Sequence, residues 1–384
     1  MSAKALSVRE RLLRAMRGEK LDRIPNAPRI FSWLAEHLGR SGVMEYVRLA
    51  EEMPYDPLIT ITDGPPNLLS HDGDYSRLPE VSAAVARERG DDCEIVTRVL
   101  GTPAGELRDR YVLGDPGSRY GTSANPHRLE HFVKDRSDLT KLRYLFPDPQ
   151  AGDYPGAARY QEQVGDLALL EMRPSSRVDQ NFVDALGIDN GMVLLYDDRE
   201  FFDDVLHFFH EHHLAALHRA CHSDIQVIYG SWFNLSLSAG WSPAIYREAF
   251  LPMIEECIEL LHEHGMLYHF YDDGRCMELL EDWAALGPDC ISTLCPPPMG
   301  DVDIAEAKRM IGAGVCLKGN IDLYNVIMRM RPEEIQEAVR RTLQVAAPGG
   351  RLILSTNDSI RNGTPTENVR AYMAAGREYG ATYL

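Results

Sequence analysis

The chain has 384 residues, 44% of them hydrophobic, enough for one large barrel with insertions or for two domains. Its 40 basic and 58 acidic residues give a formal charge of −18, which argues against a general nucleic-acid binder or an anionic-membrane binder. Seven cysteines without a CxxC pair point to reduced thiols, and residues 1–20 lack a signal-peptide or membrane-span pattern, so a cytoplasmic protein is expected.

Ser7 to Glu10 reads as a capping box opening a helix that ends at Gly18, with Val8, Leu12, Leu13 and Met16 on one stripe. Leu21 to Pro28 carries two prolines and is expected to be extended, placing Arg29 at the mouth of a first strand. There its guanidinium suits a carboxylate clamp, an ordinary surface arginine being the alternative. Pro57 to Thr62 is a second strand tipped by Asp63, although Asp63 also begins a turn sequence. Residues 71–160 break the rhythm. Glu94 to Leu100 and Glu106 to Val112 alternate around a turn, as a β-hairpin insertion in an early βα loop would. Leu167 to Leu170 resumes the pattern and is tipped by Glu171 and Arg173.

The segment Asp198 to His222 is helical and holds six histidines. His218 and His222 share a face but lack a third ligand, and most of the six are expected in solvent. Ile225 to Tyr229 is a strand leading to Trp232. Ser242 and Pro243 start a helix that Gly265 stops. The apolar run from Met266 then ends in His269, Tyr271, Asp272 and Asp273, a strand that delivers chemistry at its tip. Cys290 to Leu294, Gly314 to Lys318 and Arg351 to Leu354 repeat the unit, the last two followed by Asn320 and Asp322 and by Asn357 and Asp358. Cys290, Cys295 and Cys316 fit the description of small buried hydrophobes. Strands alternating with amphipathic helices require a parallel sheet covered on both faces, open or closed. Polar groups clustered after strands favour a single α/β domain over residues 1–384, a (β/α)8 TIM barrel, and no early glycine-rich phosphate loop supports a nucleotide fold.

Several motifs occur in an order that resembles the uroporphyrinogen decarboxylase superfamily. They are Ser242-Pro243 with Phe250 to Pro252, the strand ending in His269, Gly319 to Asp322, Ile353-Leu354, and Thr364 to Val369. Arg9 to Pro25 resembles the family's N-terminal helix and entry, and Thr102 to Gly105 with Leu107 resembles the hairpin of its methyltransferase-like members. The resemblance implies a (β/α)8 barrel and either decarboxylation or zinc-dependent methyl transfer to a corrinoid. True decarboxylases carry an arginine-rich clamp of the type MRQAGRY, of which Arg29 alone remains. The corrinoid methyltransferases use a His-x-Cys pair and a later cysteine as zinc ligands. Here His269 is kept, Tyr271 stands where the first cysteine would be, and Asp358 falls near the second.

The expected mouth therefore holds His269, Tyr271 and Asp358 as catalytic groups, and Arg29, Asp63, Glu171, Arg173, Trp232, Asp272, Asn320, Asp322, Asn357 and Arg361 as substrate contacts. Zinc or another divalent metal on His269 and Asp358 would be an oxygen-rich, harder site than the family's thiolate one. The leading expectation is methyl transfer from a small methylated substrate to a corrinoid protein partner. The alternatives are decarboxylation of uroporphyrinogen or a smaller acid, and a non-catalytic small-ligand sensor. A homodimer without nucleic-acid or membrane partners is expected.

Overall fold

The computed structural model describes residues 5–62, 67–115, 126–146 and 155–384. Their strands are β1 (Leu58–Ile61), β2 (Ser82–Arg89), β3 (Cys93–Thr102), β4 (Gly105–Gly114), β5 (His127–Glu130), β6 (Leu169–Met172), β7 (Val227–Ser231), β8 (Leu267–Tyr271), β9 (Cys290–Ser292), β10 (Cys316–Ile321) and β11 (Leu352–Thr356). The chain divides into two compact units, Met1–Asp63 with Tyr154–Pro174 and Ala220–Leu384, and Gly64–Asp153 with Ser175–Arg219.

The first unit carries an α/β fold on a parallel sheet in the order β1-β6-β7-β8-β9-β10-β11. The order follows the chain without reversing, whereas a doubly wound sheet turns back at a switch point. The sheet is curled. Ala27 N donates to Leu354 O at 2.8 Å and Leu354 N to Pro25 O at 2.9 Å, while Asp56 N, just ahead of β1, donates to Asn26 O at 2.7 Å. Extended backbone at residues 25–27 thus spans between β11 and the start of β1. Below it, buried Asp56 receives Arg11 at 2.7 Å and Arg23 at 2.6 Å.

Local sequence explains the elements that bring side chains to this sheet. Ser7 caps the helix Val8–Arg17 by accepting from Glu10 N, and Gly18 ends it at φ 71°. Ser242 caps Pro243–Ile245, after which Tyr246–Phe250 widens into a π-turn before the helix Leu251–Glu263. The wider turn accommodates Pro252, which has no N–H to give to a carbonyl one turn back. Gly265, at φ 71°, turns the chain into β8, a conformation that costs a side-chain-bearing residue energy. No helix among the described residues is long and apolar enough to cross a membrane.

The second unit has an antiparallel sheet in the order β2-β3-β4-β5. The two expected strands near 94–112 are β3 and β4, paired from Cys93 opposite Gly114 to Thr102 opposite Gly105. In place of a lone hairpin they lie inside a four-stranded sheet. The sequence hid β2 because all eight of its residues are exposed, so it has no apolar alternation to read. Buried Arg98 pairs with Asp109 at 2.6 Å and lies over the rings of Tyr111 and Phe132, each 5.1 Å away. The six histidines divide. His210 and His213 are buried, with His213 Nδ1 2.8 Å from Ser176 O, while His207 stays exposed.

Candidate functional site

Successive residues of a strand face opposite sides, so counting by two from His269 selects one face of the curled sheet. On that face the hydrogen bonds connect Thr60 of β1, Glu171 of β6, His269 of β8 and Ser292 of β9. Lys318 of β10 is joined to Ser355 of β11. Barrel interiors are ordinarily filled by branched apolar side chains. Here the layer is polar and charged, yet Glu171, His269, Ser292, Lys318 and Ser355 are all buried.

The connected groups have one consistent protonation pattern. Thr60 Oγ1 donates to Glu171 Oε1 at 2.6 Å, and His269 Nδ1 lies 2.6 Å from Glu171 Oε2. A carboxylate can only accept, so Nδ1 carries the proton and Nε2 accepts from Ser292 Oγ at 2.8 Å. Burial disfavours the imidazolium and holds His269 below its ordinary value, against the pull of Glu171. Burial alone would raise Glu171, but the His269 contact, Lys318 and Thr60 together hold it below the usual carboxylate range. Thr60 itself is exposed, so one end of the hydrogen-bonded chain reaches solvent.

Arg29 adjoins this layer. Its guanidinium sits 4.7 Å from the ring centre of Tyr271 and 5.5 Å from that of Tyr229, which in turn is 5.2 Å from the His269 ring. Arg29 Nη1 is buried without a hydrogen-bond partner among the described residues. Tyr271 donates to Asp273 Oδ2 at 2.8 Å, and Cys295 Sγ lies 3.5 Å from Asp273 Oδ1. Burial first, then the Asp358 charge, push Asp273 up against the Tyr271 and Cys295 contacts and the Arg29 charge. Burial also raises the Tyr271 phenol well above its ordinary value, so it stays protonated. Asp358 accepts from Tyr324 at 2.8 Å and pairs with Arg361 at 2.9 Å.

The other expected contacts are placed differently. Asp272 is buried, accepting from Asp273 N at 2.7 Å and Tyr246 at 3.3 Å, so the member of that pair facing Tyr271 is Asp273. Asp322 caps the turn at Asn325, and Asn357 accepts from Leu323 N at 2.9 Å. Trp232 gives its indole N–H to Tyr268 at 2.9 Å on the opposite face of the sheet. Gly230 is needed beside it, because a Cβ there would stand 1.9 Å from the Tyr268 hydroxyl. Asn320 is buried without a side-chain hydrogen bond among the described residues, and Arg173 reaches Thr62 at 3.3 Å. Asp63 lies outside the described residues. Lys318, Ser292 and Ser355 leave no signal in the sequence, because single polar residues inside apolar runs form no motif.

These donors do not fit a zinc centre. Both ring nitrogens of His269 are hydrogen bonded, Asp358 is engaged by Tyr324 and Arg361, and no three His, Cys, Asp or Glu groups converge among the described residues.

A model of the uroporphyrinogen decarboxylase (URO-D) family matches residues 184–379, half of the chain. The chain belongs to that family. It is 30% identical over 124 residues to the uroporphyrinogen decarboxylase of Chlorobium phaeovibrioides, covering 32% of each chain. It is 26% identical over 167 residues to that of Shewanella loihica, covering 41% of this chain and 42% of the relative. The matches therefore span well under half of these relatives' lengths. Across solved structures, a methyltransferase from Methanosarcina mazei aligns over 97% of this chain and 99% of its own, with TM-score 0.62 at 15% identity, a likeness of fold. The family match contains His269, Ser292, Lys318 and Asp358, whereas Arg29, Thr60 and Glu171 lie outside it.

Proposed function

We propose that this chain is an acid–base enzyme acting on a small carboxylate-bearing molecule, with decarboxylation as the reaction. In this reading residues 25–27 supply the remaining strand of a (β/α)8 barrel. The observation that carries it is the chain of three hydrogen bonds from Thr60 through Glu171 and His269 to Ser292. A base oriented by a carboxylate, at 2.6 to 2.8 Å, is the arrangement that general acid–base catalysis needs. Arg29, whose buried Nη1 has no hydrogen-bond partner among the described residues, binds the substrate carboxylate. When carbon dioxide leaves, the electron pair it leaves on carbon must take a proton. His269 takes that proton from solvent on Nε2, in place of the Ser292 hydrogen bond, and passes it to the carbon, while Glu171 steadies the imidazolium. Arg361 is committed to Asp358, so a substrate with one or two carboxylates suits this interior better than one with four acetates.

Methyl transfer from a small methylated substrate to a corrinoid protein is the second reading. It is favoured by the aromatic faces of Tyr229, Tyr271 and Phe233, with ring centres 5.3 and 5.9 Å apart, since such faces receive methylated ammonium groups. Anaerobic incubation with a panel of carboxyl-labelled small acids, beside methylated amines supplied with a corrinoid protein, separates the two. Labelled carbon dioxide supports the first reading. Corrinoid methylation without carbon dioxide release replaces it, and tight binding without turnover supports the sensor alternative.

A further inference from the structure

Lys318 lies on β10 inside the polar layer, with its Cα in register with that of Ser292. It is 2% exposed. An ammonium has three N–H donors, yet its hydrogen bond among the described residues is a single one, to Ser355 Oγ at 3.3 Å. No carboxylate among the described residues lies close enough to form an ion pair with it, so it is not a structural lysine neutralised by a salt bridge. A lysine that is desolvated and set near another cation is the form of the residue that acts as a nucleophile. Burial, together with the nearby Arg29 charge, lowers Lys318 to about 8 against the pull of Glu171.

We propose that Lys318 forms an imine with the carbonyl of a small 3-oxo acid whose carboxylate Arg29 holds, and that this imine is the electron sink for loss of carbon dioxide. The uncharged Nζ adds to the carbonyl carbon, and one of its protons moves to the resulting oxygen. The hydroxyl leaves as water after taking the proton that Lys318 gave up, delivered by His269, and the nitrogen lone pair forms the C=N bond. The bond to the carboxylate carbon then breaks, carbon dioxide departs, and the electron pair moves through carbon onto the iminium nitrogen as an enamine. His269, reprotonated from solvent, protonates the enamine carbon, and water releases the ketone and restores the lysine. The net change is one 3-oxo carboxylate and one proton from solvent giving a ketone and carbon dioxide.

The inference rests on the decarboxylase reading for its last steps, while imine formation stands apart from it. The test uses the full chain with acetoacetate as the probe and sodium borohydride as the trap, followed by peptide mass mapping. The chain has only six lysines, so the background is easily resolved. The expected result is one reduced adduct on the Lys318 peptide, with carbon dioxide released from acetoacetate. Lys318→Arg, which keeps the charge, is expected to lose the adduct and about a hundredfold of the release. No adduct on Lys318, or adducts spread evenly over the lysines, overturns the proposal using the unaltered protein alone. An adduct without carbon dioxide upholds the imine and removes the decarboxylase reading. Release by Lys318→Arg at the unaltered rate removes the imine and leaves the His269 reading in place.

Discussion

Replacing Glu171 with Gln preserves the side chain's shape and removes its charge. In the native protein both oxygens are committed, one to Thr60 and one to His269, each at 2.6 Å. The amide offers one acceptor and two donors in their place. Two unit charges about 4 Å apart interact by about 4 kcal/mol at an effective dielectric near 20. The imidazolium of His269 therefore loses support of about 3 to 4 kcal/mol, and any step passing through it slows by about two to three powers of ten. The fold loses less, because removing a buried charge also removes its desolvation cost. Nitrogen-15 NMR of labelled imidazoles reads the ground state directly, with Nδ1–H expected for His269 in the unaltered protein. Turnover of whichever labelled acid the panel identifies reads the rate. A native His269 protonated on Nε2, or a Gln variant within about threefold of the native rate, would refute the reasoning.

Asp56→Asn is expected to destabilise the first unit by about 3 to 5 kcal/mol in urea unfolding, because it leaves Arg11 and Arg23 facing an uncharged amide. Lys318→Met should stabilise the protein at pH 7. An amine held near 8 instead of its ordinary 10.5 costs about 3 kcal/mol while it is charged in both states, and thermal unfolding of the variant measures that relief. His213 is lowered to about 4, by burial first and also by His210 and Arg177, against its bond to Ser176. Between its ordinary 6.5 and about 4 the unfolded chain takes a proton that the folded one refuses. Stability should therefore fall by about 3 kcal/mol across that acid window, and His213→Gln should flatten this part of the profile. Arg29→Met should raise KM for a carboxylate substrate at least about tenfold while leaving His269 on its native tautomer in NMR spectra.

The parallel sheet was legible because β7, β8 and β11 are short apolar runs bounded by turn residues, each announced by the helix before it. The second unit was not. A strand such as Ser82–Arg89, exposed along its whole length, leaves no pattern. Within the site, tip residues were legible as motifs but their directions were not. Asp272 and Asp273 look alike in sequence, and only the period of two from His269 and Tyr271 distinguishes the residue that stays on the inner face. The same count carried across β9, β10 and β11 reaches Ser292, Lys318 and Ser355. In the sequence the apolar run reads as ending at Lys318, with Gly319 and Asn320 as the tip. In the structure β10 runs on to Ile321 and leaves the lysine in its middle.

The most direct test of the central claim is carbon dioxide release from the labelled acids by native protein and by His269→Ala, measured at matched folding. His269 is fully buried and bound to Glu171 and Ser292, so circular dichroism and the unfolding midpoint must accompany the rates. Release by the native chain, with a fall of about a hundredfold or more in the folded variant, is the predicted result. Equal release from both proteins, or no release from any acid alongside corrinoid-dependent demethylation, would contradict it.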